Sequence, residues 1–494
     1  MSNSPAHPAD QVNPAGEPEF GPREQLAIWL LLISAFVVIL NETVMGVALP
    51  KLMHDLKITA AVGQWLTTAF LLTMSIVIPI TGMLIQRVKT RPLFITAMSL
   101  FTAGTAIAAG APGFEMLLVG RVVQAGGTAI MMPLLMTTVV TLVPERQRGR
   151  LMGRIAIVIS VAPALGPTIS GLILQVLHWR WLFIIVLPIA AIALLLGMLR
   201  MPNVGTQRTA RVDPVSVILS ILAFGGLVYG LSLIGDLANG EALLPPAGPI
   251  ALGVIALGLF VWRQLVLQRS DGALLDLRTF QSRPYALSVI LFAFSSMALF
   301  GSLILLPIYA QNVLGYNTLQ TGLLLLPGGL LMGLLGPFVG RLVDTRGARF
   351  VLIPGTIVTA LALWAMGLFQ YGTPVWQVLA THLLLSLGLA GVFTPLFSVS
   401  LGSLPPMLAS HGSAMISTVQ QVAGAAGTAL FVTVMTLVSV GVAGAPEAID
   451  AHALAAGTRA AFLLGGAAAT VGVLLAFFVR DPVRPEGAPV GAGH

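Results

Sequence analysis

Two ionisable side chains stand where the chain otherwise reads as helix immersed in hydrocarbon. Glu42 lies in "ILNETVMGVALP" (39–50), at the end of an apolar run that begins near Ala27, and Arg121 lies in "GRVVQAGGTA" (120–129). Of the eighteen acidic residues Glu42 alone falls clearly within an apolar span, and Arg121 is the only such basic residue. A charge at that depth costs roughly 2.5–3.5 kcal/mol on insertion scales, so an intramembrane ionisable group is read as functional by default. Counted at about 1.5 Å per residue from the ends of their spans, both sit at similar depth below the outer surface and can pair. A carboxylate held between an apolar surround and a guanidinium can release or take a proton when its partner moves or cationic cargo arrives. Asn41 adjoins Glu42 and can share its hydrogen bonding. His382, in a later apolar span, carries an imidazole that titrates near neutrality; a neutral histidine hydrogen-bonded between helices is the competing reading.

The elements that position these groups are membrane helices. Of 494 residues, 56% are hydrophobic and only 9% charged, against roughly 25% charged in soluble domains. The excess of basic residues falls in short gaps between apolar runs, which suits topology signals better than a phosphate-tracking surface, so no nucleic-acid partner is expected. No cysteine is present, which excludes disulfides, thiolate metal sites and cysteine catalysis. No Gly-x-Ser-x-Gly, His-Glu-x-x-His or P-loop Gly-Lys-Ser occurs, so an enzyme is not expected. Without a nucleotide site, transport would be driven by an ion gradient, with no cofactor and no metal.

Runs long enough to cross about 30 Å of hydrocarbon predict fourteen spans: 27–48, 61–85, 93–111, 114–142, 152–176, 181–199, 215–235, 248–268, 285–311, 319–340, 350–370, 375–402, 412–442 and 457–479. With both termini cytoplasmic, most of the 25 basic residues fall in inner loops such as "QRVKTRP", "PERQRGR" and "GRLVDTRGAR", as the positive-inside rule requires. The expected division is a disordered tail at 1–25, a six-helix bundle at 26–200, a linker with two inserted helices at 201–283, a second six-helix bundle at 284–480 and a tail at 481–494. The short outer connection "GDLANGEALLPP" (235–246) suggests that the inserted pair is a peripheral hairpin.

The halves repeat weakly. "GMLIQRVKTR" (82–91) and "GRLVDTRGAR" (340–349) each follow the second helix of their half and share Gly, Leu and the final Arg, which predicts a parallel repeat with cargo bound at its interface. In the second copy, a carboxylate and a guanidinium near helix ends can latch one conformation. That gives Gly340, Asp344, Gly347 and Arg349 as gating candidates, with Gly82, Arg87 and Arg91 in the first copy. The first copy departs from the pattern, with Gln86 and Lys89 where Asp and Gly stand in the second, so the latch is placed mainly in the second half. In "APALGPTISG" (162–171), Ala162, Gly166 and Ser170 form a small-residue face that lets another helix approach closely, and Pro163 and Pro167 remove amide donors. Gln420 and Gln421, beside a similar face at Ala423 and Gly427, need partners or water. Tyr309 and Gln311 close the ninth span. With Gln124, these make the cavity candidates, in an apolar site suited to amphipathic, often cationic, cargo.

These stretches, with "QWLTTAFLL" (64–72), "HWRWLF" (178–183), "LPIYAQNVLGY" (306–316) and "STVQQVAGAAGTAL" (417–430), together resemble the major facilitator superfamily, and within it the fourteen-helix drug:proton antiporters, most closely the lincomycin-resistance-like multidrug exporters. The resemblance covers nearly the whole chain. It implies a monomeric, proton-coupled multidrug efflux antiporter of the bacterial cytoplasmic membrane, with Gly166, Pro167 and Gly171 in the antiporter motif that seals the path against leak. The family pattern has Asp at the position of Asn41, which implies either that Glu42 has taken over proton coupling one residue along or that Asn41 keeps only a hydrogen-bonding part of it. The alternatives are the same fold exporting one endogenous metabolite, lipid or antibiotic, a nutrient symporter, and, less in keeping with the repeat, a channel.

Overall fold

The computed structural model describes residues 21–58, 60–143, 145–203, 213–238, 244–270, 272–445 and 448–479. Of the tail expected at 1–25, residues 1–20 lie outside the described residues, as does the tail expected at 481–494, whereas Pro22–Gln25 already belong to the first helix. In chain order the helices are α1 (Pro22–Leu56), α2 (Ala60–Arg87), α3 (Thr90–Ala109), α4 (Phe114–Leu142), α5 (Glu145–Val176), α6 (Trp181–Arg200) and α7 (Pro214–Ile234). They continue as α8 (Ala247–Leu267), α9 (Arg283–Asn312), α10 (Thr318–Arg346), α11 (Ala348–Met366), α12 (Val375–Gly402), α13 (Ala409–Ala443) and α14 (Ala451–Ala476). Thirteen of them are long and apolar enough to cross a membrane; in α5 the apolar stretch is Val161–Val176. Their outward faces carry bare apolar side chains such as Leu334, Val176 and Leu474, the surface that lipid rather than water must cover.

The two halves pack alike. α3 lies on α4 as α11 lies on α12, α1 on α5 as α9 on α13, and α2 on α4 as α10 on α12. Backbone approach at glycine makes the tightest crossings. A Cβ at Gly104 would lie 2.5 Å from the Gln124 amide nitrogen, and one at Gly388 would lie 2.6 Å from that of Thr359. Across the halves α5 packs on α10 and α2 on α13, so the repeat axis runs between these pairs. The cytoplasmic ends, assigned by the positive-inside rule, are joined by buried polar contacts: Thr137 on α4 and Ser413 on α13 share a 2.7 Å hydrogen bond.

The inserted pair is not wholly peripheral. α8 turns most of its surface outward, but α7 lies against both α2 and α13, the expected hairpin thus entering the seam between halves. Its base is fixed outside the membrane by Asp213, which caps α7 through the Ser216 amide and hydroxyl and accepts two hydrogen bonds, each 2.9 Å, from Arg263. The Arg263 guanidinium first, then the Ser216 hydrogen bonds, hold the Asp213 carboxyl well below the usual carboxylate range. A carboxyl depressed on folding contributes stability above its unfolded pKa and loses it as the pH falls through the folded one. Asp213→Asn is therefore expected to lower the melting temperature equally from pH 9 to pH 5, with the gap to wild type closing only below about pH 4. Thermal unfolding across that range in detergent checks this; a gap that closes near neutrality would contradict it.

Candidate functional site

Arg121 is completely buried on α4. One turn along, Gln124 is equally buried and gives its Oε1 to Arg121 at 3.1 Å. Asn41 on α1 supplies the oxygen that joins them: its Oδ1 accepts from Arg121 at 3.3 Å and from Gln124 at 3.0 Å. Gln124 also donates to Thr105 on α3 at 2.8 Å, and the guanidinium lies 4.0 Å over the Phe70 ring on α2, a stacking that suits arginine. Four helices thus converge on one buried cation.

The expected contact between Glu42 and Arg121 is not made, although the matched depth holds. α1 runs on to Leu56 instead of ending at 48. Successive residues point about 100° apart on a helix, and the face that α1 turns to α4 carries Asn41, leaving Glu42 half-buried beside it. Among the described residues, Nε and Nη2 of Arg121 and Nδ2 of Asn41 have no hydrogen-bond partner. Three buried donors without acceptors are costly, on the order of 1–3 kcal/mol each, and a carboxylate is the group that would satisfy them best. Thr105 and Phe70 were not foreseen, because an isolated Thr or Phe in an apolar helix gives no signal of its own.

The remaining candidates divide. Gln421 reaches across the halves to the Met74 sulfur at 3.6 Å, at the repeat interface, and Gln420 beside it is half-buried. Gln311 is exposed at the end of α9. Tyr309 is not available to a cavity: it is fully buried, stacked on Phe369 at 5.1 Å, and its hydroxyl donates to the Gln370 carbonyl. Its position at a helix end suggested a cavity, but packing inside the C-terminal half consumes both its ring and its hydroxyl. Gln124 likewise belongs to the arginine cluster rather than to an open cavity. His382 on α12 is buried, its Nε2 donating to the Leu325 carbonyl of α10 at 3.0 Å, with Nδ1 left without a partner. It lies in the C-terminal half and, among the described residues, does not touch the Asn41–Arg121 cluster.

The antiporter-type stretch packs on α1 beside that cluster. A Cβ at Gly166 would lie 2.1 Å from the Thr43 hydroxyl, and Ser170 donates to the Val44 carbonyl at 3.1 Å. Gly171 faces Leu319 of α10; the Pro167 side chain lies outside the described residues. α5 therefore sits between its own half and the other. Gly427 repeats the arrangement on α13, where a Cβ would meet the Met297 backbone of α9 at 2.5 Å.

At the cytoplasmic ends, Gly82 of α2 is where α13 comes closest, a Cβ there falling 2.9 Å from that of Ala414. Gln86, the departure from the motif in the first copy, donates to the Met407 carbonyl and to the Ser410 hydroxyl across the halves. An amide can do at that position what the expected carboxylate would, a possibility hidden by judging it as a lost charge. Arg91 donates to the Met198 carbonyl at the end of α6, inside its own half. Arg87 is half-buried with Nε and Nη2 unpartnered. In the second copy Gly340 is buried, and Asp344 and Arg349 flank the turn at Gly347, whose φ of 88° requires glycine and whose amide caps α10.

The family model of the Major Facilitator Superfamily matches residues 31–428. The Lincomycin resistance protein LmrB of Listeria monocytogenes is 43% identical over 458 residues, 91% of this chain and 95% of that one. The Multidrug resistance protein B homolog of Mycobacterium tuberculosis is 30% identical over 442 residues, 86% of this chain and 80% of that one. Among solved structures the human organic anion transporter MFSD10 superposes with a TM-score of 0.64 at 17% identity, covering 92% of this chain and 100% of that one, which speaks to the fold. Repeated halves meeting at α2–α13 and α5–α10, and full-length similarity to transporters of matching size, make this chain a multi-pass transporter of the cell membrane that belongs to the Major Facilitator Superfamily.

Proposed function

We propose that this transporter exports amphipathic or cationic drugs in exchange for protons by alternating access. The observation that carries the reading is the half-buried Glu42 next to Asn41, which hydrogen-bonds a buried arginine that still has donors to give. In one state Glu42 is protonated and stands apart from the cluster. When it loses its proton, the carboxylate turns to the free Nε and Nη2 of Arg121 and the Nδ2 of Asn41, or is neutralised by a cationic cargo in their place. Proton and cargo then compete for one group, the requirement for exchange. Relatives named for lincomycin and multidrug resistance support export as the direction. The chain's own donors and carboxylate suffice for this cycle, which draws on the proton gradient and on no cofactor.

The test is drug-induced proton release from detergent-solubilised protein. Glu42→Gln is expected to abolish the release while leaving the protein folded. Unchanged release would move the coupling group elsewhere, to His382 first. In inverted vesicles, drug flux that ignores an imposed pH gradient would overturn the exchange itself.

A further inference from the structure

One turn of α13, Ser410–Ala414, gathers the contacts that close the cytoplasmic side. Ser410 accepts from Gln86 of α2 at 2.9 Å, the Gly412 carbonyl accepts from Tyr285 of α9 at 2.9 Å, Ser413 bonds Thr137 of α4, and Ala414 abuts Gly82 of α2. The remaining residue of that turn, His411, is buried and ties the turn to a third element. Its Nδ1–H donates at 3.2 Å to the carbonyl of Leu274, in the segment that follows the inserted hairpin.

That segment is not a free linker. Gln264 of α8, fully buried, receives the amides of Leu274 and Leu275 on its Oε1 at 2.7 and 3.3 Å. Its Nε2 donates to Ser216 of α7 at 2.8 Å, and Ser216 in turn donates to the Asp213 that Arg263 holds. The side chains follow the same route. Phe224 of α7, Phe260 of α8, Leu274 and Leu275 share one buried apolar cluster with Met83 of α2 and Ala414 and Met415 of α13. A residue chain of hydrogen bonds, sheathed by a common core, therefore runs from the hairpin base to the gate turn, touching α2 of one half and α13 of the other.

We propose that the inserted α7–α8 hairpin is a clamp on the cytoplasmic gate, with Gln264 and His411 as positioning residues that hold the start of α13 against α2 and α4. Opening toward the cytoplasm needs the Ser410–Ala414 turn to leave Gly82, Gln86 and Thr137. With Leu274 tied through Gln264 to the hairpin, and the hairpin packed on α2, that departure also breaks the His411 bond or drags the segment out of its core. The hairpin thus weights the equilibrium toward the cytoplasm-closed state, a bias carried by the protein alone and independent of which ion drives transport.

The natural absence of cysteine allows a clean distance measurement. Spin labels at Lys89→Cys and Thr345→Cys, exposed positions on the cytoplasmic side of the two halves, report gate opening by electron–electron double resonance in nanodiscs. His411→Ala and Gln264→Leu are each expected to raise the ratio of open to closed populations roughly threefold to tenfold, the weight of one or two buried hydrogen bonds. His411→Asn, which keeps an N–H in reach of the Leu274 carbonyl, is expected to stay near the parent. A shift with His411→Ala alone would assign the effect to α13 and overturn the clamp, as would an unchanged distribution in both. Should Gln264→Leu fail to fold, Ser216→Ala loosens the same amide from the hairpin and is expected to shift the distribution in the same direction; no shift overturns the proposal. The readout needs no cargo and no proton gradient, so its failure leaves the exchange reading of Glu42 standing.

Discussion

Arg121→Ala is expected to abolish transport, and Arg121→Lys to reduce its initial rate at least about tenfold, since a lysine keeps the charge but loses the planar fork. The guanidinium has three simultaneous tasks: it donates to Asn41 and to Gln124 and it lies over Phe70. A single nitrogen, Nη1, meets both oxygens, so what an ammonium loses is the stacking on Phe70 and the Nε and Nη2 donors that the exchange cycle offers to a carboxylate. Alanine removes the cation altogether, so that a deprotonated Glu42 has no counter-charge in an apolar surround and the exchange cycle stalls with its proton retained. Initial drug flux in inverted vesicles under an imposed pH gradient, normalised to the amount of folded protein, checks both variants. A lysine variant transporting at the parental rate would show that the fork geometry is unused and that charge alone suffices. The two unpaired nitrogens of Arg121 make this the site where a conservative replacement should be least conservative.

Gly166→Val is the second large effect. The built Cβ at Gly166 lies 2.1 Å from the Thr43 hydroxyl, 3.0 Å from the Thr43 Cβ and 3.3 Å from the Leu40 carbonyl. The hydroxyl can turn away, because it bonds only its own helix, to Leu40 at 3.1 Å; the Thr43 Cβ and the Leu40 backbone cannot. Valine therefore forces α1 off α5 within one turn of Asn41, at an overpacking cost of about 1–3 kcal/mol, and shifts Asn41 away from Arg121. Transport is expected to be lost and the melting temperature lowered. The smaller Gly166→Ala should impair transport partially, and Thr43→Ala in the same chain should restore much of it by clearing the contact. If Thr43→Ala brings no recovery, the defect does not arise at the α1–α5 crossing. Such coupling between touching residues is what a double-mutant cycle measures.

Hydropathy was enough to read the helices from the sequence, because it follows from the transfer of side chains between water and hydrocarbon, a property each residue carries by itself. The depth match of α1 and α4 was legible for the same reason, as residues at equal distance from the membrane surface can meet whatever the packing. Which side chain makes the meeting was decided by the fold. A helix turns about 100° per residue, so the choice between Asn41 and Glu42 depends on the rotation of α1, and that rotation is set by Gly166 and Ser170 of α5 on its other side. Tyr309 and Arg91 had the right residue type at a helix end and were drawn into contacts within their own halves. Gln86 departed from its motif and His411 belonged to none, and the packing of α13 placed both at the gate. The chain's own residues determined that a membrane transporter would bury a carboxylate and a guanidinium at one level. Only the packing of helices distant in sequence decided which amide holds the arginine and what the inserted hairpin grips, because a hydrogen bond depends on direction whereas partition into the bilayer does not.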